Sequence, residues 1–165
     1  MKSLHRVTRL LALSAVVSVM QSVPALAADP MGDQVFVNSG QLKWRDAPPS
    51  LPKGAKVAVL YGDPSKAGPV VVRLKLPAGY RVPPHWHSHT ENLTVISGTL
   101  YLGMGDKIES AQAHALKTGG FHYLPAMTHH YAFFRTPTIV QINGEGPLDI
   151  TYINPEDDPQ KQAAK

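Results

Sequence analysis

Between residues 56 and 153 the chain is a succession of short apolar runs: "KVAVLY", "PVVVRLKL", "NLTVIS", "TLYLGM", "HALKT", "GFHYLP", "HHYAFF", "TIVQIN" and "LDITYI". Each is rich in β-branched and aromatic residues, and Gly, Pro, Asn or Asp separates them nearly every time. Punctuation this dense stops each element before a helix could complete several turns, whereas a strand needs no more than such a run. Several runs alternate. Val70, Val72, Leu74 and Leu76 share one face while Arg73 and Lys75 take the other, and Leu148, Ile150 and Tyr152 repeat the pattern. No window longer than about ten residues keeps a helical period, and "DKIESAQA", residues 106–113, offers a single helical turn. The expectation is an all-β domain, sandwich or barrel.

Residues 1–27 stand apart from that pattern. Lys2, Arg6 and Arg9 form a basic start, Leu10 to Met20 is an uncharged and mostly apolar run of 11 residues, and Ala25-Leu26-Ala27 supplies small residues for cleavage. The run is too short to span a bilayer. It reads as a signal peptide cut after Ala27, which leaves 138 residues, enough for one domain with a real core, in the periplasm or outside the cell. The mature chain carries 13 Lys and Arg against 12 Asp and Glu, so the basic balance of the precursor belongs mostly to the signal. No basic cluster remains for nucleic acid or for a membrane surface, and the partner to expect is a small molecule, with a homodimer compatible with the sequence. There is no cysteine, which excludes disulfides and a lipoprotein anchor and restricts any metal site to nitrogen and oxygen donors. Residues 28–55, rich in Pro, Gly and Asp with β-like pieces "QVFVN" and "LKW", read as an arm laid against a domain spanning 56–154. The tail, 155–165, has charge and proline but no apolar face and is expected to be disordered.

All seven histidines of the mature chain fall between residues 85 and 130, five of them in the clusters "HWHSH" and "HH". A single histidine in a β-protein is most often a surface or hydrogen-bonded residue. Clustering changes that reading. Residues i and i+2 of a strand project from one face, so His85 and His87 can aim two imidazoles at one ion while Trp86 turns away. A divalent ion held so would also take a carboxylate oxygen and a nitrogen from a distant strand, and the sequence offers both.

The spacing Gly79, five residues, His85-Trp86-His87, three residues, Glu91, six residues, Gly98 resembles the first motif of the cupin superfamily at every interval. Gly119, Pro125 and His130 resemble its second motif, with Met127 where the family has glycine and Phe134 where it has asparagine. The resemblance covers residues 56–154. It implies a small β-barrel or jelly roll of double-stranded β-helix type with one divalent transition metal (Fe, Mn, Ni, Cu, Zn or Co) in its mouth. The four ligand positions of the family fall on His85, His87, Glu91 and His130, with His129 as the alternative to His130. His89 is expected in the turn between two strands. His114 and His122 read as structural or surface residues, although His122 could donate a hydrogen bond to one of the ligands. Phe134, four residues after His130, would share its inward face and narrow the cavity with Ala132.

Three neutral imidazoles and one carboxylate would leave a divalent ion near +1 and, in an octahedron, two open positions. Proteins that share this pattern use it for oxidative cleavage, oxalate chemistry, sugar isomerisation or plain binding. The functional expectation is an exported metal-dependent cupin, a dioxygenase-like oxidoreductase acting on a small oxygenated molecule. The alternative is a non-catalytic periplasmic module that binds or senses a metal or small ligand. No catalytic acid or base is identifiable, since the directions of Glu145 and Asp149 cannot be read from sequence.

Overall fold

A computed structural model describes residues 34–162; the segment read as a signal peptide, the start of the arm and the last three residues lie outside them. Among the described residues there are eleven strands: β1 (Arg45–Asp46), β2 (Lys56–Tyr61), β3 (Gly68–Leu76), β4 (Arg81–Trp86), β5 (Glu91–Ser97), β6 (Thr99–Met104), β7 (His114–Lys117), β8 (Phe121–Leu124), β9 (His130–Phe133), β10 (Thr138–Gly146) and β11 (Thr151–Tyr152). They form two antiparallel sheets, ordered β1-β2-β3-β10-β5-β8 and β11-β4-β9-β6-β7. The all-β expectation is met, in the two-sheet form of a jelly roll.

The period-two pattern decides what faces the core. Val70, Val72 and Leu76 of β3, Leu93 and Val95 of β5 and Val140 of β10 are buried on one sheet, opposite Leu100 and Leu102 of β6. Fully burying a side chain of this kind contributes about 1.5–3 kcal/mol. The alternate positions stay on the outer face. There Arg73 Nε donates to Gln141 Oε1 at 2.9 Å, and the Lys75 ammonium lies 4.6 Å from the Trp44 ring centre. The β5–β6 turn needs glycine at Gly98. Its φ is +84°, and a Cβ there would lie 2.5 Å from Thr138 Oγ1 and 2.6 Å from the Pro137 carbonyl oxygen.

One irregularity matters for the site. Along the β4–β9 pairing Val82 opposes Ala132 and His85 opposes His130, so β4 carries one residue more than β9 over that stretch. Pro83 and Pro84 occupy the bulge, where a missing N–H breaks no ladder bond. The bulge lets Val82 and His85, three apart, both line the interior, which strict alternation would forbid. It also frees the Pro83 carbonyl to meet the His85 ring and leaves the Pro84 carbonyl to accept from Ile153 N at 2.9 Å.

Two local expectations, those for the arm and for the tail, differ from the structure. "QVFVN" forms no strand, leaving Phe36 89 % exposed, and of the "LKW" region only the following Arg45–Asp46 joins a sheet. Alternation alone does not make a strand where no edge lies alongside. "DKIESAQA" forms the one turn it offered, closed by Gln112 N donating to Glu109 O. The tail expected to be disordered carries a 3-10 turn, Pro155–Asp157, and a short helix α1, Pro159–Gln162, as far as it is described. Local caps explain both pieces: the Asn154 side chain accepts from Glu156 N at 3.2 Å and Asp158 accepts from Gln160 N at 2.9 Å. The arm itself packs on the domain through two tyrosines. Tyr80 donates its hydroxyl to Pro52 O at 2.6 Å and Tyr152 donates to Ser50 O at 2.8 Å.

Candidate metal centre

Strands of both sheets end at one mouth of the sandwich. His85 closes on it from β4, His130 from the start of β9, and His87 from the residue just past β4; their ligand-capable atoms all lie within 4.8 Å of one another. The His85 and His130 rings are 4.1 Å apart between centres and His87 is 4.9 Å and 5.2 Å from them.

The protons of this cluster are placed by the backbone. His85 Nδ1 lies 2.6 Å from Pro83 O, His87 Nδ1 2.5 Å from Asp149 O and His130 Nδ1 2.9 Å from Thr128 O. A carbonyl only accepts, so each Nδ1 carries its proton and donates, and each Nε2 is left as a lone pair. His87 Nε2 is buried with no partner. Burial pushes the His85 pKa well below its ordinary value, helped by the neighbouring His130 and His87, and burial likewise lowers that of His130. Neutral imidazoles with Nε2 lone pairs turned toward one point are the donor form a divalent ion requires. The three histidines can therefore hold one.

Glu91 opens β5 on the opposite sheet. Its Oε1 stands 3.8 Å from His87 Nε2 and its Oε2 3.6 Å from His130 Nε2. These are too long for hydrogen bonds and close to the roughly 3.0–3.5 Å between donors that share one ion at about 2.1 Å. The other histidines take separate places. His89 sits in the bend between β4 and β5 and lines the outer cavity outside the triad, His114 is exposed on β7, and His129 points outward with Nδ1 2.6 Å from Asp106 Oδ1.

His122 is the residue the sequence reading underrated. It is buried on β8 with neither ring nitrogen hydrogen-bonded, and its Nε2 stands 3.6 Å from Glu91 Oε2. Burial, then His87, lowers its pKa to about 4, which keeps it neutral. The signal was present in "FHYL", where Phe121 and Tyr123 face out, so His122 and Leu124 must face in.

The site forms the polar end of a cavity of about 150 Å³. Its walls are apolar, from Leu76, Val82, Leu93, Leu102, Val140 and Phe134 among others, and Ser50 and Leu51 of the arm cover one side. Ala132 and Phe134 line it with His130, as expected. A space of that size holds a molecule about as large as benzene. Asp149 also lines it, but its carboxylate already accepts from Ser88 N at 3.0 Å.

Residues 27–151 match the sequence family described as "Domain of unknown function (DUF4437)". The chain belongs to the DUF4437 family. No curated protein matches this family member in sequence. Solved structures do resemble it in fold. A provisionally assigned acetylacetone dioxygenase from Methylibium petroleiphilum superposes with a TM-score of 0.62 at 18 % identity, covering 81 % of this chain and 90 % of that one. The polyketide cyclase RemF from Streptomyces resistomycificus gives 0.63 at 14 % identity over 81 % and 94 %, and an RmlC-like cupin from Shewanella frigidimarina gives 0.53 at 17 % over 68 % and 91 %. This DUF4437 chain thus has the cupin fold expected from its two motifs.

Proposed function

We propose that this chain is an exported, metal-dependent cupin that oxidises a small oxygenated molecule with dioxygen. The observation that carries the reading is the set of three imidazoles, two buried and that of His87 half-buried, whose Nδ1 atoms are engaged by backbone carbonyls and whose ligand-capable atoms converge at the polar end of a small apolar cavity. Glu91 completes the ligand set with His85, His87 and His130. A divalent transition metal held there would supply a Lewis acid for the oxygen atoms of the substrate. The chain does the rest. The Pro83, Asp149 and Thr128 carbonyls fix the three rings so that little reorganisation accompanies binding, and the leucine and valine walls exclude water and seat an apolar body of six or so heavy atoms. Similarity to a provisionally assigned acetylacetone dioxygenase makes small diketones the first substrates to try. Export rests on the basic start, short apolar run and Ala25-Leu26-Ala27, and N-terminal sequencing of the extracytoplasmic protein should read from Ala28.

Oxygen uptake is the test. Metal-loaded protein should consume dioxygen with at least one of a series of small diketones, phenols and keto acids, and chelation should abolish the uptake. Tight binding of these molecules without any uptake, across all the metals named, would overturn the enzymatic reading and leave a binding module.

A further inference from the structure

The two ring nitrogens of His122 are the unusual feature of this centre, because both are closed to water and neither has a hydrogen-bond partner among the described residues. Solvent therefore does not satisfy them, although the His122 side chain is part of the cavity wall. The polar atom that faces them is Glu91 Oε2, 3.6 Å from Nε2. The strand register brings the pair together. Leu93 opposes His122 and Glu91 opposes Leu124 across β5 and β8, which makes Glu91 and His122 diagonal neighbours on the inward face.

The tautomer follows from that contact. With its proton on Nδ1, the neutral ring would bury a donor with nothing to receive it and set a lone pair against a carboxylate oxygen. With its proton on Nε2, the same contact becomes a charge-assisted hydrogen bond once it shortens by about 0.5 Å. His122 also differs from the triad: each of those rings is aligned by a backbone carbonyl at Nδ1, and His122 has no such support. Nor is it among the histidines whose ligand-capable atoms lie within 4.8 Å of one another, which are His85, His87 and His130.

We propose that His122 is a positioning residue, whose Nε2–H donates to Glu91 Oε2 and holds that carboxylate against the Nε2 atoms of His87 and His130. The inference rests on the reading of Glu91 as the fourth ligand of a metal held by the triad. The hydrogen bond turns a flexible glutamate into a fixed one before the ion arrives, so less freedom is lost on binding.

Titration of Co²⁺ into the chelator-stripped, otherwise intact protein tests it. His122→Phe keeps the ring volume without a donor, and His122→Gln keeps a donor. Relative to wild type, His122→Phe should weaken Co²⁺ binding about 10–100-fold and His122→Gln should recover most of the loss. In a Glu91→Ala background, His122→Phe should bring no further loss. Circular dichroism checks folding, with His122→Leu taking the place of His122→Phe if the phenyl ring cannot be housed. Wild-type affinity in His122→Phe would overturn the proposal alone. An undiminished loss in the Glu91→Ala background would overturn it in favour of direct ligation by His122. A wild-type protein that takes no Co²⁺ would remove the metal reading itself, and this inference with it.

Discussion

At the scale of single residues, the centre separates histidines that look alike in the sequence. His85, His87 and His89 follow at equal intervals, yet the chain leaves β4 after Trp86, so His87 still faces in while His89 has turned into the bend. His85→Ala, His87→Ala and His130→Ala should each lower metal affinity at least about 100-fold, since each removes a nitrogen donor that the others cannot replace. His89→Ala should stay within a few-fold of wild type; calorimetric titration of the four variants with Zn²⁺ checks the contrast. Phe134 is buried at the same wall, tilted against Tyr80 with ring centres 6.2 Å apart. Phe134→Asn should lower stability by about 2–4 kcal/mol through lost burial and an added polar group. In the folded, metal-loaded variant the cavity should admit bulkier bidentate ligands, and titration with hydroxamates of increasing size reads that out.

At the scale of elements, the second motif's turn is where the chain departs from the family pattern and keeps its geometry. Met127 stands where glycine is usual and adopts φ +63°, the left-handed region, with its N–H donating to His87 O at 2.9 Å. That backbone is strained for a side chain, and Met127 is 56 % exposed, so it has little packing to lose. Met127→Gly should raise stability by about 0.5–1 kcal/mol with metal affinity unchanged, measured by urea unfolding. Most strands were legible because period-two alternation between turn residues is a local property. The Pro83-Pro84 bulge was not, because only the count against β9 reveals the extra residue. Nor was the role of the arm. Ser50 and Leu51 reach the cavity through hydrogen bonds from tyrosines as far away in sequence as Tyr152, and no local pattern records that. The convergence of His85, His87 and His130 was legible through their spacing, and the inward face of His122 through the alternation of "FHYL", whereas the pairing of His122 with Glu91 required the β5–β8 register.

At the scale of the whole molecule, burying this many imidazoles ties folding to pH. His85, His122 and His130 all have folded pKa values below the ordinary 6.5, to about 4 for His122, chiefly because burial disfavours the charged ring. The unfolded chain therefore binds more protons between those values. Their contribution is fully present above about pH 6.5 and is lost as pH falls through each ring's folded value, about 4 for His122, by up to about 1.4 kcal/mol per pH unit for each ring. Urea unfolding of chelator-stripped protein between pH 7.5 and 4.5 should show that slope, and a flat profile would contradict the buried, neutral assignment. A metal bound to the native state adds to this stability by mass action and is released by the same protons. The central claim is that the two sheets bring their donors to one ion. Calorimetric titration of Zn²⁺ into the stripped wild-type protein measures this most directly. One ion per chain should bind; no binding, or an unchanged isotherm in the His85→Ala/His87→Ala/His130→Ala protein, would contradict it.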